Sequence, residues 1–388
     1  MPAVDAVILH PPVRPEAGPL ERALSGARAT LAEEHVRGFR AVGADTVRVV
    51  SDDVDEEPFG TRVRRLVRAL AEPGSPLAGS LRDATRTGRG LVLLGSGSLA
   101  LATRADRARF VEAARGPGRR ALANNRFSAD AIALTSAAAA SLTDVPAGLP
   151  GDNALPRWLA EVAHVEVTDL RGRWRLALDL DSPLDPVLLS ARDRAGREEL
   201  ADGEDPWTVA VTGRIAELRS VLADRRAEVV LAGRSSAGTI AWLERRAACR
   251  VRALLEERGL RASSRLALSD TAGTDGPAGR GPRPPRSVLG LVLDRDGPGA
   301  IGPRLSELGD GAAVDTRVLL AHRLGADETA WPPAEDRFAS DLLLPERIAD
   351  PWLRELTESA LRATIPIVLG GHTLVGPGIR LLTPRLGA

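Results

Sequence analysis

Lysine, glutamine and tyrosine are absent from the chain, and cysteine occurs once. All 52 Lys-or-Arg positions are therefore arginine. Without lysine the chain has no side chain for a pyridoxal Schiff base, no lysine nucleophile and no P-loop lysine. A phosphate would be held by arginine forks, backbone N–H groups or a metal. A single cysteine rules out an internal disulfide and a cysteine zinc cluster. Cys249 is expected on an apolar helix face, as a small buried residue and not a nucleophile. Aromatics are scarce, with 5 Phe and 6 Trp, and net charge is zero. No basic stripe interleaves with them, which argues against a nucleic-acid partner. No apolar run approaches the roughly 18 residues of a membrane span, and no charged flank precedes a long apolar core at the start. The expectation is a cytoplasmic protein with no membrane partner.

What is present is an ordinary globular composition, 44% hydrophobic and 27% charged over 388 residues, which implies two domains. "VDAVILH" (4–10), "DTVRVV" (45–50) and "GLVLLG" (90–95) read as strands. Helical patterns lie around residues 31–39, 60–70 and 104–114. Strands alternating with helices of this length imply βαβ units and a doubly wound, mostly parallel sheet. Ligands of such sheets sit outside the carboxyl ends of the strands. The loops at 10–28, 95–98, 124–130 and 179–185 are candidates for the lips of one pocket.

The charged stretch at 190–206 reads as the domain boundary, giving an α/β domain over 1–192 and a second over 206–388. In the second, "WTVAVTG" is expected to be a strand and "TIAWLERRAACRVRALLEERG" one helix. Residues 263–286, rich in Gly, Pro and Ser, are expected to form a flexible loop.

The candidate site residues follow from this layout. "LALDLDSPLDPVLL" (176–189) reads as a strand delivering Asp179 and Asp181 beside a helix start. They stand where a ligand or metal could reach them, whereas on the alternative reading Asp181 caps the helix. "ANNRFSAD" (123–130) sets Asn124, Asn125 and Ser128 on a polar edge suited to a base or sugar, or else in a turn. Asp152 and Asn153 precede a helix and read as caps. "GRSSAG" puts Arg234, Ser235 and Ser236 between a strand and a helix start, where an anion or simple capping would use them. His322, Asp336 and His372 carry acid–base chemistry, if they meet. His372 is favoured because Gly370 and Gly371 allow close approach. Surface ion pairs are the alternative for this set. His10, His35 and His164 read as structural.

"AVILHPPVRPEAGPLERAL", "TLAEEHVRGFRAVGADTVRVVSD" and "DLDSPLDPVLL" together resemble the MobA-like, GT-A-like nucleotidyltransferases over roughly residues 4–190. The "PPVRP" form also resembles the guanylyltransferase branch that acts on phospholactate. The resemblance implies a nucleoside triphosphate or nucleotide-sugar, a small phosphorylated acceptor, and Mg2+ held by Asp179 or Asp181. It implies phosphate contacts from Arg14 and Arg22. Two features depart from it. Prolines replace the glycines of the first loop and lack N–H donors. Gly95, Ser96, Gly97 and Ser98 stand where the family places a metal-binding aspartate on its central strand. Three readings follow: an active nucleotidyltransferase, a degenerate nucleotide binder, or an enzyme whose chemistry lies in the second domain.

Overall fold

The computed structural model describes residues 2–51, 88–127, 129–145, 154–193, 206–257, 286–325 and 327–384. They form two compact units, Met1–Ala17 with Arg22–Leu180, and Gly18–Glu21 with Asp181–Ala388. The helix expected at 60–70, Ser128, Asp152, Asn153 and the loop at 263–285 lie outside the described residues.

The first unit is built on a six-stranded sheet. Its elements are β1 (Val4–Leu9), α1 (Pro19–Ala41), β2 (Thr46–Val50), β3 (Gly90–Gly95), α2 (Arg104–Arg115), β4 (Arg120–Ala123), β5 (Ala131–Leu134), α3 (Ala154–Glu161) and β6 (Glu166–Asp169). Strand order is β2-β1-β3-β5-β4-β6. β5 runs antiparallel to β3 and β4, and the remaining pairs are parallel. Both faces are covered, so β1 is apolar nearly throughout. Val4, Ala6 and Ile8 enter the layer with Phe39 of α1 and Phe110 of α2. Val7 and Leu9 enter the opposite layer with Leu155 and Leu159 of α3. Asp5 is the polar exception in β1, and Arg89 and Thr46 satisfy its carboxylate.

The second unit has a four-stranded sheet with all pairs parallel. Its elements are α4 (Leu184–Asp193), α5 (Val209–Ala223), β7 (Glu228–Gly233), α6 (Ala237–Arg246), β8 (Arg250–Leu255), α7 (Val288–Asp296), β9 (Gly311–Asp315), α8 (Thr316–Leu324), α9 (Ala334–Asp341), α10 (Pro351–Arg362) and β10 (Ile367–Gly370). Strand order is β10-β9-β7-β8. From β7 the chain first adds β8 on one side, then crosses to add β9 on the other. The carboxyl ends of β7 and β9 therefore flank the switch point, where a crevice opens in sheets of this kind.

Several sequence expectations change here. The units divide between Leu180 and Asp181, upstream of the charged stretch expected to separate them. Helix α4 belongs with the second unit because Leu184 and Leu188 pack closely on Gly370 and Gly378. "WTVAVTG" is not a strand. Its β-branched residues open α5, where Val211, Ile215, Leu218 and Leu222 recur at helical spacing and are buried. The long helix expected after Gly238 stops at Arg246, and Arg250–Leu255 form edge strand β8. Cys249 accordingly sits just before a strand and not on a helix. It is buried, and burial pushes its thiol up to about 11, which removes it as a nucleophile at neutral pH. Among the described residues no helix is long and apolar enough to cross a membrane.

Candidate functional site

In the first unit, three segments far apart in sequence are stitched together at the carboxyl ends of β1 and β3. His10 Nδ1 and Ser96 Oγ share a hydrogen bond of 3.0 Å, and the Ser96 N–H donates to the Leu9 carbonyl. From the other side, Leu180 N–H donates to the Gly97 carbonyl at 2.8 Å. Arg28 Nε reaches the Leu180 carbonyl at 2.7 Å. Asp179 accepts from the Leu99 N–H at 3.3 Å. Leu99 itself has φ of 57°, left-handed backbone that a leucine adopts only when its surroundings enforce it. The run 176–181 is thus not a strand. A 3-10 turn at Trp174–Ala177 leads into an irregular segment tied to the Gly/Ser turn.

His35 of α1 supports this turn from behind. Its Nε2 donates to the Ser98 carbonyl at 2.8 Å, while Nδ1 is buried with no partner. Protonation would place a second, unsatisfied N–H in the core. Burial accordingly lowers the imidazole to about 4.

The remaining sequence candidates in this unit divide by role. Asn124 is fully occupied as framework. Its side-chain carbonyl accepts from the N–H groups of Asp130 and Ala131, and its amide donates to Asp130 and to the Leu176 carbonyl. Asn125 accepts from the Phe127 N–H, an Asx turn, so the polar edge read from sequence is mostly turn chemistry here. Ser98 Oγ donates to the Gly95 carbonyl. Arg14 is half-buried, and Arg22 is exposed and reaches the Pro15 carbonyl at 3.3 Å.

Asp179 and Asp181 fall in different units. Asp179 is buried and already accepts from a backbone N–H. Among the described residues no group of three or more His, Cys, Asp or Glu side chains could hold a metal ion. Magnesium commonly takes one or two carboxylates and completes its shell with waters and substrate phosphates, and in this unit Asp179 offers one such carboxylate.

In the second unit the expected trio is dispersed. His322 accepts the Ser287 N–H at Nδ1, 3.1 Å away, and its Nε2 faces Asp294 at 3.0 Å. With Nδ1 an acceptor, Nε2 carries the proton and both nitrogens are committed. Asp336 accepts from the Ala349 and Asp350 N–H groups, closing a loop. Both side chains thus make framework hydrogen bonds. His372 is different: half-exposed just past β10, its Nδ1 lies 3.6 Å from Asp181 Oδ2. Ser236 caps α6 through the Thr239 N–H. Arg234 forms a bidentate pair with Asp315, Nε to Oδ2 at 2.6 Å and Nη2 to Oδ1 at 3.1 Å.

A second buried pair lies alongside. Arg317 grips Asp341 with both terminal nitrogens. Burial works against the guanidinium's charge, but the Asp341 carboxylate more than offsets it and holds Arg317 firmly protonated. Burial also opposes the charge of Asp315, yet Arg234 keeps that carboxyl below its usual range.

Asp185, which the sequence marks only as part of a helix start, is buried beside the Arg317–Asp341 pair. Its Oδ2 accepts from the Asp181 and Ser182 N–H groups, both at 2.7 Å. Burial, and then the neighbouring Asp181 carboxylate, push its pKa well above the ordinary carboxylate range. A raised pKa means the folded state binds the proton more tightly than the unfolded chain. The stability this gives is full below about pH 4 and lost as pH rises towards the folded pKa. Asp185→Asn keeps the acceptor and discards the charge. The variant should be at least as stable as the parent at pH 7, with any advantage shrinking as pH falls towards 4. Parallel urea titrations at the two pH values check this, and a variant less stable by more than about 1 kcal/mol at pH 7 would contradict it.

Comparisons with protein-family models, with curated proteins and with solved structures found no match.

Proposed function

We propose that the first unit binds a nucleoside triphosphate or a nucleotide-sugar at the carboxyl ends of β1 and β3, as a nucleotidyltransferase-like domain that has lost its metal-dependent transfer step. The observation that carries this reading is the junction of residues 9–10, 95–100 and 178–180, with its enforced left-handed Leu99. Strain of this kind persists where surrounding structure over-determines it, commonly at ligand sites. The strand order, with antiparallel β5 between β3 and β4, supports the same reading. Arginines 14 and 22 would offer guanidinium groups to the phosphates, in a chain with no lysine for that task. The carboxylate inventory favours binding over transfer, since Gly95–Ser98 carry no carboxylate where the nucleotidyltransferases that the sequence resembles place an aspartate.

Thermal denaturation of the full chain with each nucleoside triphosphate, with and without Mg2+, tests the proposal. Stabilisation without metal is expected, equivalent to about 2.7 kcal/mol at a hundred times the dissociation constant. Ser96→Val should reduce it. Magnesium-dependent stabilisation abolished by Asp179→Ala would instead favour an active transferase acting on a small phosphorylated acceptor. No response to any nucleotide would sink both versions.

A further inference from the structure

Two buried ion pairs lie at the switch point of the second unit's sheet. Among the described ion pairs, only Arg234–Asp315 and Arg317–Asp341 have a carboxylate with no solvent exposure at all. Both lie at this end, Asp315 closing β9 and Arg234 following β7. Buried pairs are costly compared with apolar packing, so two side by side need a reason beyond stability. Gly233 makes the approach possible. Its φ is 128°, and a Cβ there would stand 2.3 Å from the Asp315 Cβ. Gly371 lies beside Arg317, whose Nε would be in ordinary contact, 3.9 Å from a Cβ added there. Past β10, His372 and Asp181 form a more exposed pair, with side chains 38% and 55% accessible. The Asp315 carboxylate feels the charge of His372 as well as of both arginines.

We propose that this end of the sheet binds the oxyanion of a small molecule, gripped by Arg234, with His372 steadied by Asp181 hydrogen-bonding a neighbouring oxygen of the same ligand. Asp315 uses the Nε and Nη2 edge of Arg234, and the Nη1 amino group supplies two further donors. Asp315 thereby fixes the guanidinium plane, which pre-organises it for a planar or tetrahedral oxyanion. Helices α6 and α8 begin at this end, and their positive N-termini favour a negative ligand over a cation. Phosphoryl and carboxylate groups share the required chemistry.

The test uses the full chain and the imidazole resonances of its five histidines. His372→Gln, at an exposed position, assigns the His372 signals. Inorganic phosphate and acetate are titrated separately, each against sodium chloride at matched ionic strength. A saturable movement of the His372 resonances by either probe is expected, and which probe acts distinguishes the two classes. Arg234→Met combined with Asp315→Asn leaves no buried unpaired charge and should weaken binding about tenfold or more. If that variant fails to fold, Asp181→Asn serves instead and is expected to alter the His372 response to the probe. Movement reproduced by chloride, or no movement with either probe, would overturn the proposal. Neither probe carries a base or a sugar and the readout is local to His372, so the result is separable from nucleotide binding by the first unit.

Discussion

Replacing Arg317 by alanine is expected to destabilise the second unit by about 3–5 kcal/mol, the usual cost of leaving a buried charge without its partner. Asp341 has no solvent exposure, and Arg317 provides both of its charge-assisted contacts from the guanidinium. Arg234 is already committed to Asp315, and the Ser182 hydroxyl that also bonds Asp341 carries no charge. Removing both charges is a different experiment. Arg317→Met with Asp341→Leu discards the unpaired carboxylate and should recover most of the loss. Urea denaturation followed by tryptophan fluorescence separates the two outcomes. A single variant within about 1 kcal/mol of the parent would mean that Asp341 takes up a proton or reaches water, and the buried pair would not hold the switch-point cluster as described.

The second large effect is a pH dependence from His35. Its folded pKa is about 4 against an ordinary 6.5, so the unfolded chain binds a proton first as pH falls. Between pH 6.5 and 4 the unfolded state holds more protons, and stability declines on acidification. The gap is worth about 3 kcal/mol at full protonation of the unfolded state. His35→Gln retains an amide donor for the Ser98 carbonyl and cannot titrate. The stability of the parent relative to this variant should be flat above pH 7 and fall by about 3 kcal/mol by pH 4. Taking the difference removes the contribution of carboxylates common to both chains. A flat difference across that window would mean that His35 is accessible to water, contradicting its role behind the Gly/Ser turn.

These residues also show what the sequence discloses. The βαβ alternation was legible because the central strands are nearly all apolar, as in "VDAVIL" with its single Asp5 and in "GLVLLG", and parallel strands buried on both faces demand it. The strand ends were legible for the same reason, and His10, Ser96, Arg234 and His372 do follow strands at their carboxyl edges. Partner choice was not legible. Asp179 and Asp181 are two residues apart, yet one serves the Leu99 amide and the other faces His372. His322 reads as an acid–base candidate until its Nδ1 is found accepting from Ser287, a contact set by how α7 packs on α8. The unit boundary was missed because a charged stretch resembles a linker more than the step from Leu180 to Asp181 does. Strand β8 was missed because Arg250 and Arg252 give it the look of an exposed helix. Its alternation appears only once the edge position is known.

Hydrogen exchange of the full chain with and without a nucleoside triphosphate tests the central claim most directly. Binding at the proposed junction should slow exchange together at Leu9–Val13, Ser96–Leu99 and Leu178–Leu180, while the strands of the second unit stay unchanged. Unaltered exchange at all three segments under nucleotide concentrations that raise the melting temperature would contradict it.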